Sequence, residues 1–105
     1  MFAVMPAHAE DLEVRLVSIT SPVPPGGTVE LVVAAPPGAT CTGRRQPHQG
    51  LDIPIATQVV PTDGKVRWTF QVLKGLNPVG LRSIHVTCTL DRRQGSMDTS
   101  FAVAF

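Results

Sequence analysis

The residues of this 105-residue chain whose types could do chemistry are its histidines, cysteines, arginine pairs and a few hydroxyls. His8, His48 and His85 are far apart in sequence. A protein metal site needs several ligands converging, usually with two at short spacing on one element. None of the three histidines has such a partner, so no metal and no cofactor is expected. Ser83, His85 and an aspartate would supply the ingredients of acyl transfer, but no Gly-x-Ser-x-Gly elbow presents a nucleophile. The carboxylates fall mostly in turn-like stretches or near the ends, which leaves no glycosidase-type pair. The expectation is a protein without catalytic residues.

Cys41 and Cys88 stand 47 positions apart (88 − 41), which matches neither a zinc spacing nor a CxxC redox motif. A disulfide and two inert buried thiols are the readings left open. A bridge would close a loop of about 48 residues and contribute about 4 kcal/mol in the chain-entropy picture. Arg44-Arg45 and Arg92-Arg93 read as solvated loop charge, with an anion or cell-wall polymer site as the functional alternative. If the strands carrying the two cysteines lie side by side and antiparallel, these pairs fall at opposite ends and form no single patch. Together with His48, which is expected in a loop, they are the candidate binding residues.

The elements that would position these groups are strands. Period-2 alternation between turn signals dominates, and no stretch keeps helical periodicity over three turns. Leu12 to Ile19 reads as a first strand whose parity changes at Val17, implying a bulge that sends its second half towards another sheet. Pro- and Gly-rich residues 21–27 break regular structure. A second strand runs from Thr28 to Ala35, with Val29, Leu31 and Val33 on one face and Thr28, Glu30 and Val32 on the other. Ala39 to Arg45 is a third, Gln46 to Gly50 a loop, and Ile53 to Val60 a fourth that Pro54 assigns to an edge.

Asp63-Gly64 suits a tight hairpin. Lys65 to Leu73 places Val66, Trp68, Phe70 and Val72 inward. After a connection over Gly75 to Gly80, Leu81 to Leu90 places Ile84, Val86, Cys88 and Leu90 inward and Ser83, His85, Thr87 and Thr89 outward. Asp91 to Ser96 is a hairpin loop, and Met97 to Phe105 closes the domain with Phe101, Val103 and Phe105 inward. Arg67 and Glu30 face outward on neighbouring strands and suit an ion pair. Seven short strands with turns every eight to twelve residues predict an all-β, seven-stranded antiparallel sandwich. Ser100, Ala102 and Ala104, with Val32 and Ala34, read as ordinary scattered exposed residues, with flat outward faces on which a protein, including a second copy, could pack as the functional alternative.

Composition and ends narrow the class. Hydrophobic residues make 43% and charged residues 16% of the chain, as in a packed domain and unlike a disordered tail. A formal charge of +1 argues against nucleic acid as a partner. No apolar run reaches the ~20 residues of a membrane-spanning helix. Residues 1–9 are apolar and end Ala7-His8-Ala9 before Glu10-Asp11, which suits either the remnant of a secretory signal or a frayed apolar N-terminus, with the domain over 10–105. Export favours the disulfide reading.

Several stretches together resemble the small immunoglobulin-like domains of exported bacterial proteins. They are Pro-Pro-Gly-Ala-Thr before Cys41, Asp63-Gly64-Lys65-Val66-Arg67-Trp68-Thr69-Phe70, Asn77-Pro78-Val79-Gly80 before Ile84 to Thr89, and the closing Phe101-Ala102-Val103. The resemblance covers about Leu12 to Phe105 and implies Trp68 in a core strand and a Cys41–Cys88 bridge. It departs from antibody-type domains, because Trp68 lies 27 positions after Cys41 (68 − 41) and the chain has no Tyr. The antibody bridge geometry is therefore not carried over. The chain is also similar in strand plan to the small chromophore-carrying proteins of actinomycetes, whose paired short-loop disulfides two cysteines cannot form. The resulting expectation is a secreted or cell-surface, non-catalytic binding or structural module for an extracellular protein or cell-wall component. A small-ligand carrier with a cleft between two sheets is the alternative, and a small secreted hydrolase with a nucleophile within reach of His48 or His85 a third.

Overall fold

Alternating sequences bury one face of each strand, and two such sheets closed face to face hide both apolar sets. The computed structural model describes residues 12–48, 51–72 and 80–104. The chain start with His8, the connection before Gly80 and Phe105 lie outside these residues. Among the described residues the chain forms seven strands: β1 (Arg15–Ile19), β2 (Thr28–Ala34), β3 (Thr40–His48), β4 (Leu51–Val59), β5 (Lys65–Gln71), β6 (Gly80–Leu90) and β7 (Arg93–Val103). They make a three-stranded sheet, β1-β2-β5, and a four-stranded sheet, β4-β3-β6-β7, with all strand pairs antiparallel. The core between the sheets is built from Val29, Leu31 and Val33, Val66 and Trp68, Ile84, Val86 and Cys88, and Phe101 and Val103.

Cys41 and Cys88 are directly opposite each other in the β3–β6 ladder and are joined by a disulfide. The bridge is thus within one sheet, between neighbouring strands. Two further contacts tie the sheets along the β4–β5 side. The Trp68 indole N–H donates to the Ala56 carbonyl at 2.7 Å, and the Gln58 side-chain amide donates to the Arg67 carbonyl at 2.7 Å. A register shift in β4, between the partners of Cys41 and Gly43, takes Ala56 out of the ladder and leaves its carbonyl for the indole. Pro54 lies on this edge strand, where its missing N–H costs no ladder bond.

Several expectations change. β1 does bulge between Leu16 and Ser18, but both halves pair with β2. The chain reaches the other sheet before and after β1 instead: the Leu12 amide donates to the Gln94 carbonyl, and Val23, inside the Pro/Gly-rich stretch, bridges in parallel to Val103. Gln46, Pro47 and His48 belong to β3 rather than to a loop. The Asp63-Gly64 turn does not close a hairpin, since β4 and β5 lie in different sheets. Gly64 adopts φ 77° there while the Asp63 carboxylate accepts the Lys65 amide at 3.1 Å, so the same turn chemistry makes a crossover. The β6–β7 connection is only Asp91-Arg92, and Gln94 to Ser96 are strand residues. Asp91 at φ 57° takes the left-handed position that a short turn requires.

Val32, expected outward and open, is only 5% exposed. Its register neighbour Arg67 pairs with Glu30 (Nε to Oε2 3.1 Å), as the alternation suggested. Ala102 and Ala104 are tied to the Ser21–Val23 segment through their backbones. Of the five positions Val32 is buried, Ala34, Ala102 and Ala104 are half-buried and Ser100 is exposed.

Two tests follow from this packing. Replacing both cysteines with Ala should lower unfolding stability by about 4 kcal/mol through the reopened loop, read by urea denaturation. A Cβ on Gly95 would lie 2.0 Å from the Leu12 carbonyl oxygen. Gly95→Ala should therefore cost about 1–3 kcal/mol, with the melting temperature falling and the N-terminal amide of Leu12 losing exchange protection.

Candidate functional site

The outward face of the four-stranded sheet gathers the polar side chains that period 2 puts opposite the core. Along β3 these are Thr40, Thr42, Arg44 and Gln46, along β6 Ser83, His85, Thr87 and Thr89, and along β7 Ser96, Asp98 and Ser100. Register turns them into rows. Arg44 faces His85, and His85 faces Asp98. A depression of about 300 Å³ lies over this row, lined by Arg44, Gln46, Ser83, Ile84, His85 and Asp98. A second depression, of about 320 Å³, lies beside Glu13, Arg15, Asp63 and Lys65. Its charges are of mixed sign and partly committed, with Glu13 near Arg15 (3.9 Å) and Asp63 on the Lys65 amide.

The side chains on the first face form a chain of contacts. Asp98 Oδ1 lies 2.6 Å from His85 Nδ1, and Thr87 Oγ1 lies 3.1 Å from His85 Nε2. A carboxylate only accepts, so Nδ1 carries a proton and donates it to Asp98, and in the neutral imidazole Nε2 accepts from the Thr87 hydroxyl. Across the sheet from Thr87 stand Thr42 on one side and Ser96 on the other. Thr57 and Thr42 share a hydroxyl contact at 3.3 Å. The face carries no aromatic side chain among the described residues, and its exposed large apolar groups, Val59 (63%) and Leu81 (73%), sit on different strands away from the His85 row.

The candidate residues separate. Arg44 is outward, in the row with His85, whereas Arg45 has the inward parity of Cys41 and packs its guanidinium over the Phe70 ring, 4.6 Å from its centroid. Burial lowers the Arg45 pKa below its ordinary value, because desolvation disfavours the charged form. The reading of this pair as loop charge is therefore corrected: both are strand residues, and one supports the core edge where Phe70 meets Phe101 (5.9 Å). Arg92 is in the β6–β7 turn and Arg93 starts β7 opposite Leu90, five residues along β6 from His85, about 17 Å at antiparallel rise. His48 closes the β3–β4 hairpin opposite Leu51.

The structure also contains functional-looking residues that sequence reading passed over. Arg82 shares the inward parity of Ile84 and is 7% exposed, with Nη1 donating to the Leu81 carbonyl at 3.1 Å. Extending the β6 alternation two residues back would have flagged it. Thr87 and Asp98, the two partners of His85, were missed for a different reason. Reading Asp91 to Ser96 as a long loop hid the register that a two-residue turn imposes, under which His85 falls opposite Asp98. Among the described residues no group of three or more His, Cys, Asp or Glu side chains is placed to hold a metal ion. No helix among them is long and apolar enough to cross a membrane.

No protein-family model matches this sequence, and a search of curated proteins finds no relative.

Asp98 is largely exposed, and a hydrogen bond made at an exposed site contributes little to stability. Asp98→Ala should lower stability by at most about 1 kcal/mol, yet it should release the His85 ring. The imidazole nitrogen shifts in NMR should move from a single Nδ1–H tautomer towards a mixture.

Proposed function

We propose that this chain is an exported, immunoglobulin-like, non-catalytic binding module that recognises an extracellular protein or a cell-wall component through the outward face of the β4-β3-β6-β7 sheet. The observation that carries this reading is the row Arg44–His85–Asp98, three polar side chains brought into register on adjacent strands beside a depression. Such a row sits on a rigid sheet and costs little to organise on binding. The strand order β1-β2-β5 over β4-β3-β6-β7 is compatible with the immunoglobulin-like plan. The Cys41–Cys88 disulfide supports an oxidising compartment. The carrier alternative draws no support from the interior, where Leu31, Val33, Val86 and Trp68 fill the space between the sheets.

The reading is tested in the native host. The protein should be recovered outside the cytoplasm with neither thiol alkylated before reduction. It should also cosediment with isolated cell envelopes, and Arg44→Ala with Asp98→Ala should weaken that association at least about tenfold, the loss of roughly 1.4 kcal/mol. Recovery from the cytoplasm with two alkylated thiols would overturn the export reading, and unchanged association in the double variant would remove this face as the binding surface.

A further inference from the structure

The contacts around His85 do more than decorate a binding face. We propose that Thr87 is an acyl-acceptor nucleophile, activated by His85 as general base and oriented through Asp98, and that it takes a small acyl group from an activated ester. The step is a single stoichiometric transfer onto this chain, with no turnover, and it draws on His85 and Asp98 of the binding row while Thr87 stands outside that row.

The geometry is that of a hydroxyl, an imidazole and a carboxylate in line. Thr87 Oγ1 is 3.1 Å from Nε2, and Nδ1 is 2.6 Å from Asp98 Oδ1. Each link has a structural cause. His85 and Thr87 are two residues apart on β6 and so share a face. Asp98 is the direct cross-strand partner of His85 in a ladder whose register the two-residue turn sets. Asp98 holds the proton on Nδ1, which aims the Nε2 lone pair at the Thr87 hydroxyl and makes Asp98 a positioning residue. His85 is half-buried and Thr87 likewise, which restrains both side chains against their strands.

An acyl acceptor also needs donors for the oxyanion. Thr42 and Ser96 flank Thr87 in register, with the ~4.5–5.5 Å separation of directly opposed Cβ atoms. Thr57 can donate its hydroxyl to Thr42 Oγ1 (3.3 Å), which leaves the Thr42 O–H to turn outward towards a substrate oxygen. The flanking groups are small and polar, so the fitting donor is a short acyl chain rather than a fatty one.

In the proposed step the Thr87 Oγ lone pair attacks the ester carbonyl carbon while the hydroxyl proton passes to Nε2. The carbonyl oxygen takes the electron pair of the broken π bond and is held by Thr42 and Ser96. When the carbonyl re-forms, the bond to the leaving oxygen breaks and that oxygen departs as the alkoxide or phenoxide, or takes the proton from Nε2. Thr87 is left as an ester, and no electron transfer is involved.

The test uses the full chain with p-nitrophenyl acetate as probe. It follows nitrophenolate release and locates the acetyl group by peptide mass spectrometry. Wild type should carry acetyl on Thr87 ahead of the other hydroxyls. His85→Ala should slow Thr87 acetylation by about 100-fold, the lower end of general-base contributions, and Asp98→Ala should slow it measurably. Thr87→Val should abolish labelling at that position, and Thr87→Ser should retain it. Circular dichroism and Trp68 fluorescence show whether each variant is folded, and an unfolded His85→Ala is replaced by His85→Gln. Acetyl found only on Lys65, Lys74 or the N-terminus would overturn the proposal. So would Thr87 labelling at the wild-type rate in the folded His85 variant. Envelope association, measured separately, tells failure of this activity from failure of the binding role.

Discussion

The pairing of β3 with β6 is the constraint on which the rest depends. Cys41 and Cys88 meet in register and are covalently joined, so a slip of one residue between these strands is impossible without breaking the bond. A one-residue slip would turn every side chain of a strand to the other face. The bridge therefore secures which side chains of β3 and β6 enter the core, with Val86, Ile84 and the cysteines inside and Thr42, Arg44, His85 and Thr87 outside. The same register puts Arg45 opposite Ile84, on the inner face, where its guanidinium lies over the Phe70 ring.

From that pair the order propagates to both sides. The two-residue turn at Asp91-Arg92 carries the register of β6 into β7 and brings Asp98 to His85. On the other side β4 accommodates one extra residue, and the displaced Ala56 carbonyl receives the indole of Trp68 from the opposite sheet. A buried indole N–H needs an acceptor, and an irregular edge strand supplies one without breaking a ladder bond. The opposite side of the sandwich is closed by backbone instead. The Leu12 amide donates to the Gln94 carbonyl, and Val23 donates to the Ala102 carbonyl and accepts from the Ala104 amide on either side of Val103, with β1 crossing to the other sheet between them. Gly95 is the residue that makes the first crossing possible, since any side chain there would occupy the place of the Leu12 carbonyl.

The polar face and the core are two products of one alternation. Burying Val29, Leu31 and Val33 obliges β2 to present Glu30, which pairs with Arg67 on the neighbouring strand. Burying Ile84, Val86 and Cys88 obliges β6 to present Ser83, His85 and Thr87 on one surface. The candidate site is thus a consequence of strand pairing, and its residues come from three strands. That is why it has no compact motif in sequence.

By itself the sequence determined the class of fold, the extent of most strands and the edge position marked by Pro54. It also determined the inward sets of β2, β5 and β6 and the Glu30–Arg67 pair. These follow from local alternation and from backbone restrictions at Pro and Gly, which act within a few residues. It left the cysteines as either bridged or buried, and read their strands as possible neighbours only. The tertiary structure decided that they are neighbours, that β4 and β5 separate into different sheets, and that a turn-like Asp63-Gly64 serves a crossover. It also decided that Arg45 and Arg82 lie inward and that Asp98 and Thr87 converge on His85. Each of these depends on register or sheet membership, set by contacts between residues far apart in the chain, and alternation alone carries no information about which strand lies beside which.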